Sequence, residues 1–578
     1  MRIVFLTLLL AVCVSGGILT GLGGKVKDFF GGEGKLGEKL KNATITGFKK
    51  VLNATRLLQI REKLDMMKEK VKKTLELSPK MMASLKERLA RLRPIKRDRV
   101  HEIGDSIDEI NQNSEVGDLL FQSDIVLTSE QADEIVADIE EEVSGVARRK
   151  RQAFKDRHYP NTTWTNGVSY FFDLNATPKV RTVFKKAVEL WQKDTCIDFK
   201  EDRTATSKIR VFVENGCWSY VGRLGKQQDL SLGEGCESVG TAAHELGHAL
   251  GFYHTMSRHD RDQYVTVNYV NIKAQWRDQF TKQTTNTNEN YGLGYDCGSI
   301  MHYSAYSASF NNKPTLVPMD ENYLETLGSR FIAFYDLWML NKHYGCLDKC
   351  DKDPQAAKCE NGGIPHPRDC TRCLCPNGYA GILCDKRPES PKCGATLQAS
   401  TSYQDLVSEI GYERKPEEAD FELCYYWIES PKNTQIEVRI DGISEHHAQW
   451  GCPFGGVEIK AQEDQRSTGY RFCADEDEDL SLVSKTNRVP IMTFSRLGKT
   501  VIKLQYRYVT DGKPGPKPKP AVTQAAGYTF STPPGFRCKD TMGPLCTTIK
   551  STICDKSSIA YSDRDRWNKC AKTCGLCS

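Results

Sequence analysis

The stretch "HELGHALGFYH", residues 244–254, constrains this chain more than any other. It gathers three histidines and a glutamate in a chain that has only 11 histidines among 578 residues. On a helix, His244 and His248 share one face, so both imidazoles can reach one ion. Gly251 permits a sharp turn that returns His254 as a third ligand. Three protein ligands and one open position are typical of catalytic rather than structural zinc.

The residues around these histidines indicate a hydrolase. Glu245 follows the first ligand, where it can act as general base on a zinc-bound water whose pKa the metal lowers to about 7. The stretch "YDCGSIMHY", residues 295–303, adds the methionine turn that marks the metzincins. We expect Met301 to form an apolar floor under the imidazoles. We expect Tyr303 to approach the metal or donate a hydrogen bond to the oxyanion of the transition state.

Length, charge and cysteine content narrow the class of protein. A chain of 578 residues is too long for one hydrophobic core, so several domains are expected. The net charge of +5 is mild and no long single-sign field occurs, which excludes nucleic acid as the expected partner. The 22 cysteines are densest at 346–384 and 538–577. Such grouping indicates disulfides formed in an oxidising compartment.

The N-terminus predicts secretion. A charged start, a short apolar run and the small residues 15–17 predict a signal peptide over residues 1–16. No stretch approaches about 20 apolar residues, so no transmembrane anchor is expected. A secreted, extracellular chain can carry glycans at its Asn-x-Ser/Thr sites. These sites are Asn42, Asn53, Asn161 and Asn175.

Residues 17–151 predict a pro-segment. Apolar residues recur at helical spacing until Pro79 interrupts them, at Leu57, Ile60, Leu64, Met67, Val71 and Leu75. A solvated amphipathic helix is the favoured interpretation, with a coiled coil, a pairing helix or a membrane-surface helix as alternatives. The segment ends in "ARRKRQAF", whose basic run suits a proprotein convertase. Cleavage after Arg151 would make Gln152 the new N-terminus.

Together, "HELGHALGFYHTMSRHDRD" and "YDCGSIMHY" resemble the astacin family of zinc metalloendopeptidases over residues 152–346. The resemblance implies an α+β metzincin domain with an upper mixed sheet, a zinc-binding helix and one zinc ion. In this family the tyrosine of the methionine turn, here Tyr303, is a fifth zinc ligand that swings away on substrate binding. The resemblance also implies two disulfides, Cys196–Cys346 and Cys217–Cys236.

The resemblance extends into the pro-segment. Astacin precursors carry a Phe-x-Gly-Asp motif whose aspartate binds zinc in place of the water. Here Asp124 follows Phe121 at the same spacing, although Ser123 replaces the glycine. Two further departures occur. Thr255 replaces the glutamate that contacts the new N-terminus after activation, and Cys297 replaces a tyrosine and stays unpaired and buried in the expected disulfide scheme.

The C-terminal part resembles three small modules. Residues 347–385 resemble an EGF-like module, with the cysteines Cys350, Cys359, Cys370, Cys373, Cys375 and Cys384. Residues 393–510 resemble a CUB domain, an antiparallel β-sandwich with Cys393–Cys424 and Cys452–Cys473. Its acidic run 474–480 is read as a solvated turn, with calcium binding as the alternative. After a Pro/Lys-rich linker, 511–537, residues 538–577 resemble an ShK-like module with Cys538, Cys546, Cys554, Cys570, Cys574 and Cys577.

These features predict a secreted zinc endopeptidase, made as a latent zymogen, that cleaves extracellular matrix or cuticle-type proteins. Nematode astacins with this module order have proposed roles in cuticle collagen processing. The expected partners are an extracellular protein substrate, such as cuticle or matrix collagen, and a proprotein convertase. The rival hypothesis is a catalytically inactive extracellular adhesion or binding protein. Thr255 is the only residue that favours it.

Overall fold

A computed structural model describes residues 54–93, 95–144, 153–154, 159–284, 287–444 and 448–514, with isolated positions between 540 and 574. The chain forms two compact units, residues 1–514 and 515–578. Several predictions concern residues outside the described ranges: the signal peptide, Asn42, Asn53, Arg151, Gln152, Cys538, Cys577 and most of the linker. The large unit contains an N-terminal segment (residues 54–144), a central domain (153–346), a disulfide-rich hairpin region (347–385) and a β-sandwich (393–510).

The α-helices of the described residues are α1 Ala54–Asp65, α2 Lys68–Leu75, α3 Pro79–Arg91, α4 Ile107–Asn113, α5 Ser129–Ser144, α6 Pro178–Lys193, α7 Val239–Ala249, α8 Phe334–His343, α9 Asp348–Asp351 and α10 Leu545–Thr548. The strands up to the end of the central domain are β1 Ile125–Val126, β2 Ala153–Phe154, β3 Val168–Phe172, β4 Phe199–Glu201, β5 Lys208–Phe212, β6 Cys217–Tyr220, β7 Gln227–Leu232, β8 Val265–Val267, β9 Asn288–Glu289 and β10 Leu316–Pro318. The later strands are β11 Ile364–His366, β12 Asp369–Leu374, β13 Ala395–Gln398, β14 Gln404–Gly411, β15 Glu422–Glu429, β16 Gln435–Ile443, β17 Gly455–Ile459, β18 Tyr470–Phe472, β19 Ser481–Val483, β20 Arg488–Ser495 and β21 Lys499–Val509.

The central domain is built on a mixed six-stranded sheet in the order β1-β6-β7-β5-β3-β4. Strand β6 runs antiparallel to β7, and the remaining pairs are parallel. Helix α6 begins where Thr177 caps the first turn ahead of Pro178, and α7 begins with Ser238 as its cap. The two helices pack together, and the indole of Trp191 donates a hydrogen bond to the backbone carbonyl of Ala243 at 2.9 Å.

The N-terminal segment is part of this domain rather than an appendage. Strand β1 adds to the free edge of β6, with Ile125 opposite Ser219. The predicted helical stretch forms α1, α2 and α3, with breaks after Asp65 and before Pro79. The expectation of a solvated helix is wrong, because the apolar faces of α1 and α2 are buried in a cluster that includes Trp276 and Phe280 of the central domain. Burial of such a face, rather than helix propensity, stabilises short helices.

The hairpin region contains the antiparallel strands β11 and β12, and three disulfides cross-link it. Arg368 fixes it to the central domain, since its guanidinium donates to the backbone carbonyls of Gln192 at 2.8 Å and Ile197 at 3.0 Å. The β-sandwich packs the sheet β13-β15-β20-β17-β18 against the sheet β14-β21-β16-β19. The expectation of a purely antiparallel sandwich is wrong in one pair, because β13 runs parallel to β15.

The described residues of the small C-terminal unit include α10 and two disulfides, Cys546–Cys570 and Cys554–Cys574. Asp540 accepts hydrogen bonds from the backbone and hydroxyl of Thr573. Among the described helices of both units, none has the length and apolarity required to cross a bilayer.

Candidate metal centre

Helix α7 presents its two histidines from a fully buried scaffold. His244 and His248 lie on one face, and their Nε2 atoms are 3.1 Å apart. The helix ends at Ala249, and Gly251 adopts a φ of +114°, a conformation that favours glycine. This turn brings the Nε2 of His254 to 3.3 Å from that of His244. The three predicted ligand atoms therefore converge.

The hydrogen bonds of the other ring nitrogens suit metal binding. The Nδ1 atoms of His244 and His248 lie 2.7 Å from the backbone carbonyls of Ile300 and Phe252, respectively. A carbonyl only accepts, so each Nδ1 carries the proton and each Nε2 presents a lone pair to the common point. Burial lowers the pKa of His244, and it lowers the pKa of His254 to about 3, which favours the neutral rings that bind a metal. This donor set fits zinc.

The methionine turn lies directly under the helix. A Cβ built on Gly247 would be 2.5 Å from the Sδ of Met301, so the absence of a side chain at position 247 lets the sulfur pack against α7. Met301 also accepts a hydrogen bond at its backbone carbonyl from the backbone N–H of Thr255 at 2.9 Å. The turn is thereby joined to the residue that follows the third histidine.

Asp124 brings a carboxylate to the histidines. Its Oδ2 is 3.2 Å from the Nε2 atoms of both His244 and His254, and its Oδ1 is 3.6 Å from that of His248. The four side chains form a cluster that could hold one metal ion. The candidate latch and the candidate ligands therefore meet at one point.

Sequence reasoning did not find the residues that position this carboxylate. Gln122 accepts at Oε1 from the Nδ1 of His254 at 3.0 Å and donates from Nε2 to Ser257 at 2.6 Å. Asn111, fully buried, donates to the carbonyls of Ser123 at 2.9 Å and Cys217 at 2.6 Å. Neither residue belongs to a recognisable motif, so a single sequence carries no signal for them.

Ser123 occupies a position that favours glycine for a backbone reason. Its φ is +64°, in the left-handed region that costs a residue with a side chain about 1–2 kcal/mol. The preceding residue, Gln122, also has a positive φ, +47°. Serine replaces the expected glycine here without disturbing the carboxylate that follows it.

Tyr303 and Glu245 complete the buried site. The hydroxyl of Tyr303 donates to the backbone carbonyl of Gln122, and its ring lies 4.4 Å from that of His254 between centroids. Glu245 is fully buried, and neither carboxylate oxygen has a hydrogen-bond partner among the described residues. Burial, followed by the neighbouring Asp124 carboxylate, raises the pKa of Glu245 well above its usual range. A buried carboxylate without partners is suited to taking up a proton.

The two departures from the family pattern are both buried. The hydroxyl of Thr255 donates to Ser299 at 2.8 Å, and Ser299 donates to Asp336 at 2.6 Å. Burial raises the pKa of Asp336 to about 7. Cys297 is outside any disulfide among the described cysteines, and burial raises the pKa of its thiol well above the usual range. A protonated, buried thiol is unreactive.

The structure also describes predicted disulfides, two predicted glycosylation sites and the acidic run 474–480. The described residues contain nine disulfides: Cys196–Cys346, Cys217–Cys236, Cys350–Cys370, Cys359–Cys373, Cys375–Cys384, Cys393–Cys424, Cys452–Cys473, Cys546–Cys570 and Cys554–Cys574. Asn161 and Asn175 are exposed. The side-chain amide of Asn175 donates to the backbone carbonyl of Val213 at 2.7 Å. The solvated-turn interpretation of 474–480 is wrong for Asp477, which is fully buried.

A helix bearing two histidines, a third histidine after a glycine turn and a methionine turn beneath them define a zinc-dependent hydrolase of the metzincin class. Comparison with known proteins agrees. The sequence model of the astacin peptidase family matches residues 156–345. Zinc metalloproteinase nas-31 of Caenorhabditis elegans is 46% identical over 460 residues, covering 79% of this chain and 73% of that protein.

Two further proteins are similar to this chain. Zinc metalloproteinase nas-29 of Caenorhabditis elegans is 35% identical over 420 residues, covering 69% of this chain and 77% of that protein. The structure of High choriolytic enzyme 1, a hatching enzyme zinc-protease from Oryzias latipes, is 30% identical, with a TM-score of 0.30, and covers 34% of this chain and 94% of that structure. The chain belongs to the astacin family. It is a zinc metalloendopeptidase with one catalytic zinc ion.

Proposed function

We propose that the protein is a secreted endopeptidase made as a latent zymogen. A proprotein convertase would activate it by cutting after Arg151, which leaves Gln152 at the N-terminus. The observation that carries this proposal is the Asp124 carboxylate, with its Oδ2 3.2 Å from two of the three convergent histidine Nε2 atoms. A carboxylate at this point occupies the position that the reactive water needs.

His244, His248 and His254 hold the zinc ion in this proposal. Zinc supplies a Lewis acid that polarises the peptide carbonyl and lowers the pKa of water to about 7. Glu245 accepts a proton from the attacking water and delivers it to the leaving amine. Its burial without hydrogen-bond partners among the described residues supports this role. Tyr303 donates a hydrogen bond to the oxyanion once its hydroxyl is released from Gln122.

The N-terminal segment would block the site in two ways. Its carboxylate lies at the histidines, and strand β1 covers the edge of β6 that borders them. An extended substrate backbone can pair with such an edge by strand addition. Departure of the segment would therefore free both the metal position and the edge on which a substrate can be aligned. The basic run 148–151 separates α5, which ends at Ser144, from β2, which begins at Ala153.

The domain assignments follow the same proposal. Residues 1–16 are a signal peptide, 17–151 the pro-segment and 152–346 the peptidase domain. The regions 347–385, 393–510 and 538–577 are EGF-like, CUB and ShK-like modules, with 511–537 as a linker. Nine disulfides and two exposed sequons among the described residues support an extracellular location. The substrates we propose are matrix or cuticle-type proteins.

The mechanism is tested with the activated full chain and an unstructured protein substrate. Glu245→Ala should lower kcat by at least about 100-fold, because removing a general base costs about 10²–10⁴-fold. Glu234→Ala is the matched control, since Glu234 is exposed on the loop that precedes α7. A chelator should abolish cleavage and added zinc should restore it. Equal rates for Glu245→Ala and the parent would overturn the assignment of the base.

A further inference from the structure

A stretch of the N-terminal segment between α3 and α4 crosses the β-sandwich. We call Arg93 and residues 95–102 the crossing segment; it has no helix or strand of its own. Some of its contacts are local, such as the ion pair of Arg97 with Glu109. The others join it to residues remote in sequence, in the sandwich and in the adjoining part of the central domain. We call the surface beneath it the groove. The groove has two sites that bind side chains of the crossing segment, and it also makes hydrogen bonds to the backbone of that segment.

The first site is acidic and buried. The Nε of Arg93 lies 3.0 Å from the Oδ1 of Asp477, whose side chain is 0% exposed. Asp477 shares a hydrogen bond with Glu325 of the central domain, and burial raises the pKa of both carboxyl groups. The guanidinium of Arg93 is 5.7 Å from the centroid of the Phe472 ring. Buried carboxylates are costly without a cation, and Arg93 supplies one.

The second site is aromatic. Trp450 of the sandwich stacks on Tyr306 of the central domain, with ring centroids 3.6 Å apart and an interplanar angle of 7°. The guanidinium of Arg97 lies 4.9 Å from the centroid of the Trp450 ring. The indole N–H of Trp450 has no hydrogen-bond partner among the described residues. A stacked aromatic pair of this kind is a favourable surface for a guanidinium group.

Backbone contacts fix the chain along these two sites. The N–H of Lys96 donates to the Glu476 carboxylate at 2.8 Å. The N–H of Asp98 donates to the carbonyl of Ala448 at 2.8 Å, and the N–H of Ala448 returns a hydrogen bond to the Asp98 carboxylate at 3.1 Å. Apart from the contact to the Asp98 carboxylate, the groove recognises main-chain groups and positive charge. It therefore suits a class of extended basic peptides rather than one sequence.

We propose that the groove is a docking site for extended, basic segments of protein substrates, vacated when the N-terminal segment leaves. The proposal rests on the proposed activation by cleavage, because the groove opens only then. Without Arg93 the Asp477 and Glu325 pair lacks this cation, and without Arg97 the Trp450 ring lacks its guanidinium. A substrate segment with two arginines spaced like Arg93 and Arg97 would replace both and hold the polypeptide on the enzyme.

The probe is a synthetic peptide of residues 91–105, labelled with a fluorophore. Fluorescence anisotropy measures binding of this peptide to the activated enzyme, which keeps all its C-terminal regions but lacks the N-terminal segment. The Glu245→Ala form is used so that binding does not depend on catalysis. Failure of this experiment is thus distinguishable from failure of the proposed function. We expect saturable binding that Asp477→Asn weakens by about tenfold or more.

Matched variants test whether the loss of peptide affinity comes from the ion pair between Arg93 and Asp477. Glu478→Gln alters an exposed acid on the same loop and should change binding by less than about twofold. The peptide with Arg93→Ala should bind about tenfold more weakly to the parent, with little further loss on Asp477→Asn. This peptide variant cannot unfold the enzyme, so it keeps the test valid if Asp477→Asn proves unstable.

A kinetic readout connects the groove to substrates. On the activated parent enzyme, the 91–105 peptide should raise KM for an unstructured protein that contains a basic run. It should leave cleavage of a short peptide without arginine or lysine unchanged. Absence of peptide binding would overturn the proposal, as would binding without competition against the basic protein. Either result would assign the groove to retention of the N-terminal segment only.

Discussion

The hydroxyl of Tyr303 donates to the backbone carbonyl of Gln122, two residues before the carboxylate that lies among the histidines. One short turn of the N-terminal segment therefore contacts two parts of the catalytic apparatus at once. Gln122 also orients His254 through its side chain. In the proposed zymogen, the inhibitory contact would consequently be a set of hydrogen bonds around Asp124 rather than a single aspartate.

This arrangement predicts partial activation by Asp124→Ala. In a precursor made uncleavable by Arg151→Ala, we expect proteolysis to rise by about tenfold or more, because the metal position becomes available to water. Activity should stay below that of the mature enzyme, since β1 and the Gln122 contact remain. Hydrolysis of a fluorescence-quenched peptide measures the activity of the variant precursor and of the mature enzyme. Asp133→Ala, on the exposed face of α5, is the control. An equally silent Asp124→Ala precursor would refute the latch.

Ser123→Gly should stabilise the precursor by up to about 1 kcal/mol. Glycine removes the penalty of a side chain at a φ of +64°, and the greater freedom of the unfolded chain offsets part of that gain. Ser123→Ala keeps the Cβ and should give no such gain. The Tm of each precursor measures the effect. Stabilisation by alanine equal to that by glycine would show that the hydroxyl, not the backbone, is responsible.

Asp138 on α5 should make docking of the N-terminal segment sensitive to pH. Burial raises its pKa from 3.8 to about 6, with the hydroxyl of Thr284 donating to it at 2.6 Å. Because the folded pKa is raised, the stabilising contribution is complete below about pH 4 and is lost as the pH rises through about 6. The shift corresponds to about 3 kcal/mol at neutral pH.

Asp138→Asn removes the titrating carboxyl group, so comparing the Tm of this variant with that of the parent measures its effect. At about pH 7.5 the variant precursor should have a higher Tm than the parent, and the difference should vanish below about pH 4. The activated enzyme without its N-terminal segment serves as the comparison, because it lacks residue 138. A Tm difference that does not change between these two pH values would contradict the assignment to Asp138.

Gly247→Ala tests the methionine floor. The added Cβ would lie 2.5 Å from the Sδ of Met301, so the sulfur or the helix must move. Overpacking of this kind costs about 1–3 kcal/mol, which we expect as a lower Tm and a weaker affinity for zinc. Gly442→Ala is the control, because the nearest atom to its built Cβ is 3.9 Å away. Met301→Ala should restore part of the zinc affinity lost in Gly247→Ala.

The convergence of the three candidate metal ligands could be predicted because their spacing is local. His244 and His248 share a face on any helix, and a glycine turn returns the chain within a few residues. The cysteine pairs followed from family resemblance instead. The solvated-helix interpretation failed for α1 and α2 because an amphipathic pattern shows that a face is apolar but not what covers it.

By itself, the sequence determined the metal, the class of reaction and the general base candidate, since these depend on residue types a few positions apart. Only the tertiary structure decided what holds Asp124 in place, where Thr255 finds its partner and what occupies the groove over the sandwich. Arg93 and Asp477 are 384 residues apart, and Asn111 and Cys217 are 106 apart. Contacts at such separations form only when whole faces of the domains pack together, and no local pattern in the chain encodes them.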